Sequence, residues 1–218
     1  LTDREDIPEM EVEVLSSLKE PSNNRLTAFN SYTLHEKEVY SWASTGRQLY
    51  EDYDYATGNT KNYTLSLPGI VPEDSVWLTT VFAARSIGAS TYYSVAVNGK
   101  ARGNATLASI SSDNQYYTRA TSASISTSWL GTESENTVVT VTHTRPSGTS
   151  GRLDYIALNY IRSLTLNAPY LTFRSLASIN KETTFVLSGA TASTVVWDVT
   201  DPANICRMEG SFVGGTYT

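Results

Sequence analysis

The sequence is poor in the side chains that nucleophilic and metal chemistry usually need. It has one cysteine, Cys206, and two histidines, His35 and His143. One cysteine excludes an intrachain disulfide, so the fold must depend on a hydrophobic core. Cys206 lies in an apolar stretch without a recognisable motif, whereas a thiolate nucleophile needs a base and an electropositive setting. We therefore expect no catalytic residue here, and neither histidine has the companion spacing of a zinc site.

Basic clusters and long apolar runs are also missing. The net charge is -6, and acidic residues dominate the first twenty positions. Polyanions are therefore poor partners, and we expect no nucleic acid binding. No apolar run approaches the ~20 residues that span a bilayer, so we expect no membrane span. The chain begins at Leu1 without Met or a signal segment, and we expect an export signal or a catalytic domain to lie outside it.

Helical periodicity is almost absent, and short apolar runs separated by Gly, Pro, Asn and Ser take its place. Residues 63–67 and 139–144 alternate apolar and polar side chains, which predicts strands with one core face and one hydroxyl-bearing face. Residues 76–85 are apolar on both faces, as in a central strand. The dipeptide Asn98-Gly99 favours the positive φ angles of a tight hairpin turn.

These strands and turns predict an all-β fold, a jelly-roll β-sandwich followed by a short second β-module. Asn167-Ala168-Pro169 marks the expected boundary, because proline cannot donate to a strand ladder. We therefore assign residues 1–167 to the sandwich. Residues 168–218 are assigned to a small β-module or to the start of a further β-domain, since about fifty residues are marginal for an independent core.

Acidic side chains cluster at residues 51–54. Glu51, Asp52 and Asp54 offer several oxygen ligands in one predicted loop, and they are our candidates for a structural calcium ion. Their spacing does not fit an EF-hand loop, and the alternative is a solvated acidic loop. We expect no other cofactor. The same carboxylates could form a glycosidase pair, but sequence neighbours do not establish the separation that such chemistry requires.

Aromatic residues are the most abundant functional feature, with 14 tyrosines and four tryptophans. Rings exposed on a sheet face stack against sugars, so we take Tyr53, Tyr92 and Tyr93 as candidates for carbohydrate binding. The alternative is that each ring lies in a core with its hydroxyl at the rim. The sequence is compatible with both interpretations.

Three segments share their order and spacing with one protein family. Residues 44–52 are Ser-Thr-Gly-Arg-Gln-Leu-Tyr-Glu-Asp, residues 153–160 contain Asp-Tyr-Ile before Arg162, and residues 196–202 are Val-Trp-Asp-Val-Thr-Asp-Pro. Together they resemble the N-terminal β-region of PorU-like sortases, which are gingipain-type cysteine peptidases of the type IX secretion system. The third segment is the most specific, since it joins a strand to the Asp-Pro turn that ends it.

The resemblance implies an exported protein of the Bacteroidetes outer-membrane surface. In this family the catalytic Cys and His belong to a caspase-like α/β domain further along the chain, which trims C-terminal secretion signals from cargo. The resemblance assigns no catalytic residue to these 218 residues. It implies a non-catalytic accessory or docking region, with the peptidase domain, the secretion machinery, a cargo protein or a glycan as partner. The alternative is a carbohydrate-binding jelly-roll module of a cell-surface protein.

Overall fold

The computed structural model describes residues 12–16, 20–42, 48–113, 119–131 and 134–218. Its described secondary structure is β-sheet apart from one turn of 3-10 helix at Leu176–Ser178. The predicted all-β class is therefore confirmed. Contacts divide the chain into two compact units, Asn30–Ser163 and Leu1–Phe29 with Leu164–Thr218.

The described strands, in chain order, are β1 (Glu13–Leu15), β2 (Arg25–Leu26), β3 (Ala28–Glu36), β4 (Thr60–Ser66), β5 (Ser75–Arg85), β6 (Thr91–Val97), β7 (Lys100–Leu107), β8 (Thr121–Leu130), β9 (Asn136–Thr144), β10 (Ser150–Ser163), β11 (Thr184–Phe185), β12 (Leu187–Ser188), β13 (Val196–Asp198), β14 (Cys206–Met208), β15 (Phe212–Val213) and β16 (Thr216–Tyr217). Strands β3 to β10 build two four-stranded sheets, ordered β3-β10-β5-β8 and β4-β9-β6-β7. Successive strands alternate between the sheets except at the β6–β7 hairpin. This is the connectivity of a jelly roll, so the predicted sandwich is confirmed.

The sandwich core follows from the alternation of side chains along each strand. Every second residue of β6 and β9 is buried, as are Tyr63 and Leu65 of β4, because successive Cβ atoms of a strand point to opposite faces. Strand β5 is central, as predicted, and pairs antiparallel with both β10 and β8. The Tyr93 ring stacks between Phe82 and His143, with centroid separations of 4.4 and 4.1 Å. Other core side chains include Tyr63, Leu65, Leu78, Val95, Val141, Leu153, Ile156 and Leu158.

The β6–β7 hairpin contains a β-bulge close to its turn. Asn98 and Gly99 have φ angles of 48° and 79°, which confirms the predicted tight turn. Ala96 pairs with Ala101, but Val95 pairs with Gly103 and Ser94 with Asn104. Arg102 is therefore the extra residue of a bulge. Beyond it the strand pairing is shifted by one residue, and this shift decides which side chains of β7 face outward.

The second unit consists of short strands. Its sheets are β1-β14-β13, β2-β11 and β12-β16-β15, and its small core contains Phe29, Leu164, Leu187 and Ala190 with Phe173 and Phe185 packed against them. Strands β1 and β2 pair in parallel with β14 and β11. For that reason the N-terminal residues belong to the same unit as the C-terminal ones. The sequence instead predicts one domain over residues 1–167. The assignment of independent domains stays a prediction.

Candidate functional site

The two neighbouring tyrosines of β6 lie on opposite sides of their sheet. Tyr92 is 47 % exposed on the outer face, whereas Tyr93 is fully buried in the sandwich core. Adjacent residues of a strand cannot share a face. Tyr92 and Tyr93 therefore cannot contact the same ligand, and the prediction that both bind carbohydrate is corrected: of the two, only Tyr92 is available to a ligand.

Tyr53 is half-buried and has a packing role. Its hydroxyl donates a hydrogen bond to the Gly58 carbonyl at 3.0 Å, and its ring meets Tyr55 edge to face at 5.0 Å. The Lys61 ammonium lies 4.5 Å from the ring centroid of Tyr53. Tyr53, Tyr92 and Tyr93 thus do not form one binding surface.

Glu51 is a buried carboxylate surrounded by hydrogen-bond donors. It accepts hydrogen bonds from Lys61 Nζ at 2.6 Å and from the Tyr63 hydroxyl at 2.7 Å, and His35 Nε2 lies 3.5 Å from Oε1. Burial raises the pKa of Glu51, but the hydrogen bonds from Lys61 and Tyr63 outweigh it and hold the pKa below its ordinary value. Glu51 is therefore an ionised structural group of the sandwich.

Asp54 has a separate set of partners. It accepts hydrogen bonds from Ser150 Oγ at 2.7 Å, from the Ala56 and Gly151 amides, and from Arg152 Nη2 at 3.3 Å. Burial raises its pKa, and these hydrogen bonds reverse the shift, so that the net pKa is lowered.

The predicted calcium ligands do not converge. Asp52 is exposed, and in the described part of the chain no group of three or more His, Cys, Asp or Glu side chains has the arrangement of a metal site. A structural calcium at Glu51, Asp52 and Asp54 stays a prediction, and the donors that hold Glu51 and Asp54 would compete with such an ion.

Arg152 ties this loop to strand β10. Its guanidinium donates to the Glu51 and Asp52 carbonyls at 3.2 and 2.6 Å, and its Cζ atom lies over the Tyr40 ring, 3.4 Å from the ring centroid. Buried arginines of this kind fix backbone geometry through several hydrogen bonds. The acidic segment of the sequence is thus part of the framework at one end of the sandwich.

The two histidines and the cysteine have separate surroundings. His35 lies against Glu51, and His143 is fully buried on the Tyr93 ring. Cys206 Sγ has Asn204 O at 3.6 Å and Glu13 Oε2 at 3.8 Å. Burial and the Glu13 carboxylate raise the pKa of the Cys206 thiol, which makes it a poorer nucleophile at neutral pH.

The outer face of the β4-β9-β6-β7 sheet is uncharged and rich in hydroxyl groups. The side chains that point outward from these four strands are threonine, serine, asparagine, alanine, valine and Tyr92. A depression of about 250 Å³ lies on this face, lined by Ser94, Val95, Ala96, Ala101, Gly103, Asn104, Thr140 and Thr142. The small side chains of Ala96 and Ala101 leave this space open, next to the bulge at Arg102.

The sequence signals for this depression are incomplete. The alternation of residues 139–144 indicates the hydroxyl-bearing face of β9, as predicted, and the structure places Thr140 and Thr142 there. Ser94 and Asn104 were missed, because the bulge that brings them opposite each other leaves no local pattern.

The three family-like segments lie in different places. Residues 44–47 fall outside the described residues. Residues 153–160 lie within β10, and residues 196–198 form β13. Asp198 and Asp201 each accept a hydrogen bond from the backbone amide two residues further on, which confirms the expected turn after β13.

Within the part of the chain that the structure describes, we find no helix with the length and hydropathy of a membrane span.

Comparison with known proteins identifies similar structures but no similar sequence. No family model and no curated protein matches the chain. Weak structural similarity links it to a CBM36-1 domain of a multidomain xylanase from the hindgut metagenome of Trinervitermes trinervoides (TM-score 0.32, 11 % identity, 59 % of this chain and 95 % of that one). The C-terminal CBM6 of LamC, a laminarinase from Zobellia galactanivorans, gives a TM-score of 0.29 at 13 % identity, over 59 % of this chain and 98 % of that one. Both TM-scores are too low to support an argument.

A much stronger match is the crystal structure of dimeric latent PorU from Porphyromonas gingivalis. The TM-score is 0.73 at 19 % sequence identity, over 94 % of this chain. The matched part is 20 % of PorU, so the chain spans about a fifth of the length of that protein. Along nearly its whole length, the chain therefore has the fold of one part of PorU.

Proposed function

We propose that this chain is a non-catalytic docking region of a larger exported protein related to the PorU-like sortases of the type IX secretion system. The observation that carries the proposal is the PorU-like fold along 94 % of the chain, matched to 20 % of PorU. A region that forms a fifth of a multidomain protein has other domains to contact. By the same resemblance, the whole protein would be a cysteine peptidase at the outer-membrane surface of a Bacteroidetes bacterium.

The surroundings of Cys206 support a non-catalytic role. Its neighbours are a carboxylate and a carbonyl oxygen, and both disfavour a thiolate. We expect the isolated chain to have no peptidase activity, so that Cys206→Ala changes nothing in an assay with peptide substrates. Cysteine-dependent hydrolysis by the purified chain would contradict this.

The sheet β1-β14-β13 offers a docking face on which exposed apolar side chains flank an exposed arginine. Val14 and Trp197 lie in one row on either side of Arg207, and they are 49 % and 47 % exposed. Val199, two residues beyond Trp197, is also exposed. Exposed apolar side chains in one patch are typical of a surface that contacts another protein or domain. We assign this face to another domain of the same protein.

Substitution of Trp197 in the full-length protein tests this assignment. Trp197→Ser should expose the joint between domains to limited proteolysis and increase the radius of gyration in X-ray scattering. The isolated chain should lose less than about 0.5 kcal/mol, since a surface substitution breaks little inside it. Val213→Ser is the matched control, because Val213 is 73 % exposed on β15. Identical behaviour of the two variants in the full-length protein would refute a docking role for this face.

A second candidate function is carbohydrate binding at Tyr92. The supporting observation is that Tyr92 is an exposed ring on an uncharged face rich in hydroxyl groups. Tyr92→Ala should abolish binding to a glycan array, because the ring would lose its stacking contact. Tyr32→Ala is a matched control, since Tyr32 is exposed on β3 of the other sheet. Equal loss in both variants, or no binding by the parent chain, would exclude this function.

A further inference from the structure

The depression on the outer face of the β4-β9-β6-β7 sheet has uncharged polar groups available for a ligand. Ser94 and Asn104 lie directly opposite each other on β6 and β7, and both line the depression. Within the described residues, neither side chain has a hydrogen-bond partner in the protein. Their hydroxyl and amide groups together offer donors and acceptors that can meet a ligand directly.

The neighbouring side chains form a rim that is already organised. Thr60 and Thr142 hydroxyls lie 3.0 Å apart, and the Thr140 hydroxyl donates to Asn62 Oδ1 at 2.9 Å. These cross-strand hydrogen bonds fix the threonine hydroxyl groups. The bond from Thr140 uses the amide oxygen of Asn62, so the amide nitrogen of Asn62 points away from Thr140. A site whose walls are fixed before binding loses less conformational freedom on binding.

The chemistry of the depression selects the class of ligand. No lysine, arginine, aspartate or glutamate lines it, so neither an anion nor a cation would find a counter-charge. The polar part of its lining disfavours a purely apolar ligand, while the part formed by Ala96 and Ala101 is apolar. A neutral sugar ring combines hydroxyl groups at its edge with apolar C–H groups on its face, and it matches both.

The size of the depression and the position of Tyr92 favour more than one sugar unit. A volume of about 250 Å³ is below the ~300 Å³ at which pockets for drug-sized ligands begin, so it suits one ring. Tyr92 points outward from the same strand, two residues before Ser94. Because Tyr92 lies on the same face, its ring is within reach of the next unit of an oligosaccharide bound at Ser94 and Asn104.

We propose that this depression is a binding subsite for one ring of a neutral oligosaccharide. Ser94 and Asn104 hydrogen-bond its hydroxyl groups, and Tyr92 contacts the adjacent ring. The inference rests on the second candidate function above and identifies its site and ligand class.

Titration of the whole chain with defined tetrasaccharides tests the subsite. The neutral probes are cellotetraose, xylotetraose and mannotetraose, and the charged probes are tetragalacturonate and chitosan tetramer. Binding is followed by calorimetry and by amide chemical shifts. Asn104→Ala removes the unpartnered amide, and Ala101→Phe fills the depression. Their controls are Thr64→Ala on the same face and Ala108→Phe at an exposed position outside the depression.

We expect at least one neutral probe to bind with shifts centred on residues 94–104. Asn104→Ala should weaken it about tenfold, the loss typical of one or two hydrogen bonds. Ala101→Phe should abolish it, and both controls should retain it within about twofold.

The other outcomes overturn the proposal at different levels. Neutral binding that survives Ala101→Phe removes the subsite but leaves carbohydrate binding elsewhere on the chain. Tighter binding of a charged probe removes the neutral ligand class. No binding of any probe at about 10 mM, where even a weak site with a Kd near 1 mM would be mostly occupied, removes both the subsite and the second candidate function.

Discussion

Acidification should destabilise the sandwich through one buried side chain, His143. Within the described residues, neither ring nitrogen of His143 has a hydrogen-bond partner, and the ring is stacked on Tyr93 at 4.1 Å. Burial, with a smaller contribution from the Arg145 charge, lowers the pKa of His143 from 6.5 to about 4, while Asp54 acts weakly in the opposite direction. The folded protein therefore holds this imidazole neutral in a pH range where the unfolded chain protonates it.

The sign and the size of the effect follow from proton linkage. Because the folded pKa is the lower one, the unfolded state binds more protons between about pH 6.5 and pH 4. The stability is fully present above that range and is lost as the pH falls through it. A difference of 2.5 units at 1.36 kcal/mol per unit gives about 3 kcal/mol in full, of which about 2.5 kcal/mol is lost between about pH 7 and pH 4.5.

Urea denaturation of the wild type and of His143→Phe measures this contribution. Phe keeps an aromatic ring against Tyr93 but has no ionisable nitrogen. Overpacking against Gly151 should cost the variant about 1–2 kcal/mol at neutral pH. Its free energy of unfolding should then fall by about 2.5 kcal/mol less than the wild type between about pH 7 and pH 4.5. Parallel pH profiles for the two proteins would refute the reasoning, because the imidazole would then not be the group that takes up the proton.

Three further substitutions test other parts of the sandwich by chemical denaturation. Lys61→Met should cost about 2 kcal/mol, because Glu51 loses its closest cation; a cost below 0.5 kcal/mol, within the range of ordinary surface changes, would mean that Lys37 and His35 replace it. Gly151→Ala should cost more than about 2 kcal/mol, since a Cβ there would overlap the Tyr93 hydroxyl and the His143 ring. Gly99→Ala should cost only about 1 kcal/mol, because no atom lies within 4 Å of the added Cβ and only the φ angle of 79° opposes it. Equal costs for the two glycine variants would contradict the packing argument.

The sandwich itself could be predicted, because its signals are local. Alternation over residues 63–67 and 139–144 predicted strands with one buried face, and these residues lie in or at the end of β4 and in β9. Asn98-Gly99 predicted the turn between β6 and β7. Each of these signals needs only a few neighbouring residues and the fixed period of a strand.

The surroundings of the acidic segment could not be predicted in the same way. Asp54 is held by Ser150, Gly151 and Arg152, which lie almost a hundred residues further along the chain. Spacing within residues 51–54 indicates that carboxylates are close together, but not which donors the fold brings to them. Contacts between distant parts of a chain leave no trace in local composition.

The register of strand pairing between β6 and β7 could not be predicted from the sequence either. From the turn alone, Ser94 would face Gly103, and Asn104 would point into the core opposite Tyr93. The bulge at Arg102 shifts the pairing, so that Asn104 faces outward beside Ser94. Likewise, the pairing of β2 with β11 groups the N-terminal residues with the second unit, and the local boundary signal at residues 167–169 carries no information about that pairing.

The extra residue in β7 would let this hairpin lose one residue without a change of its outer surface. Deletion of Arg102 alone would leave a regular ladder in which Ala101 still faces Ala96 and Asn104 still faces Ser94. A relative with the bulge and a relative without it would therefore present the same outward side chains. Only a further deletion, or an insertion that no bulge absorbs, would turn Asn104 towards the apolar interior and mark a relative whose outer sheet surface carries different chemistry.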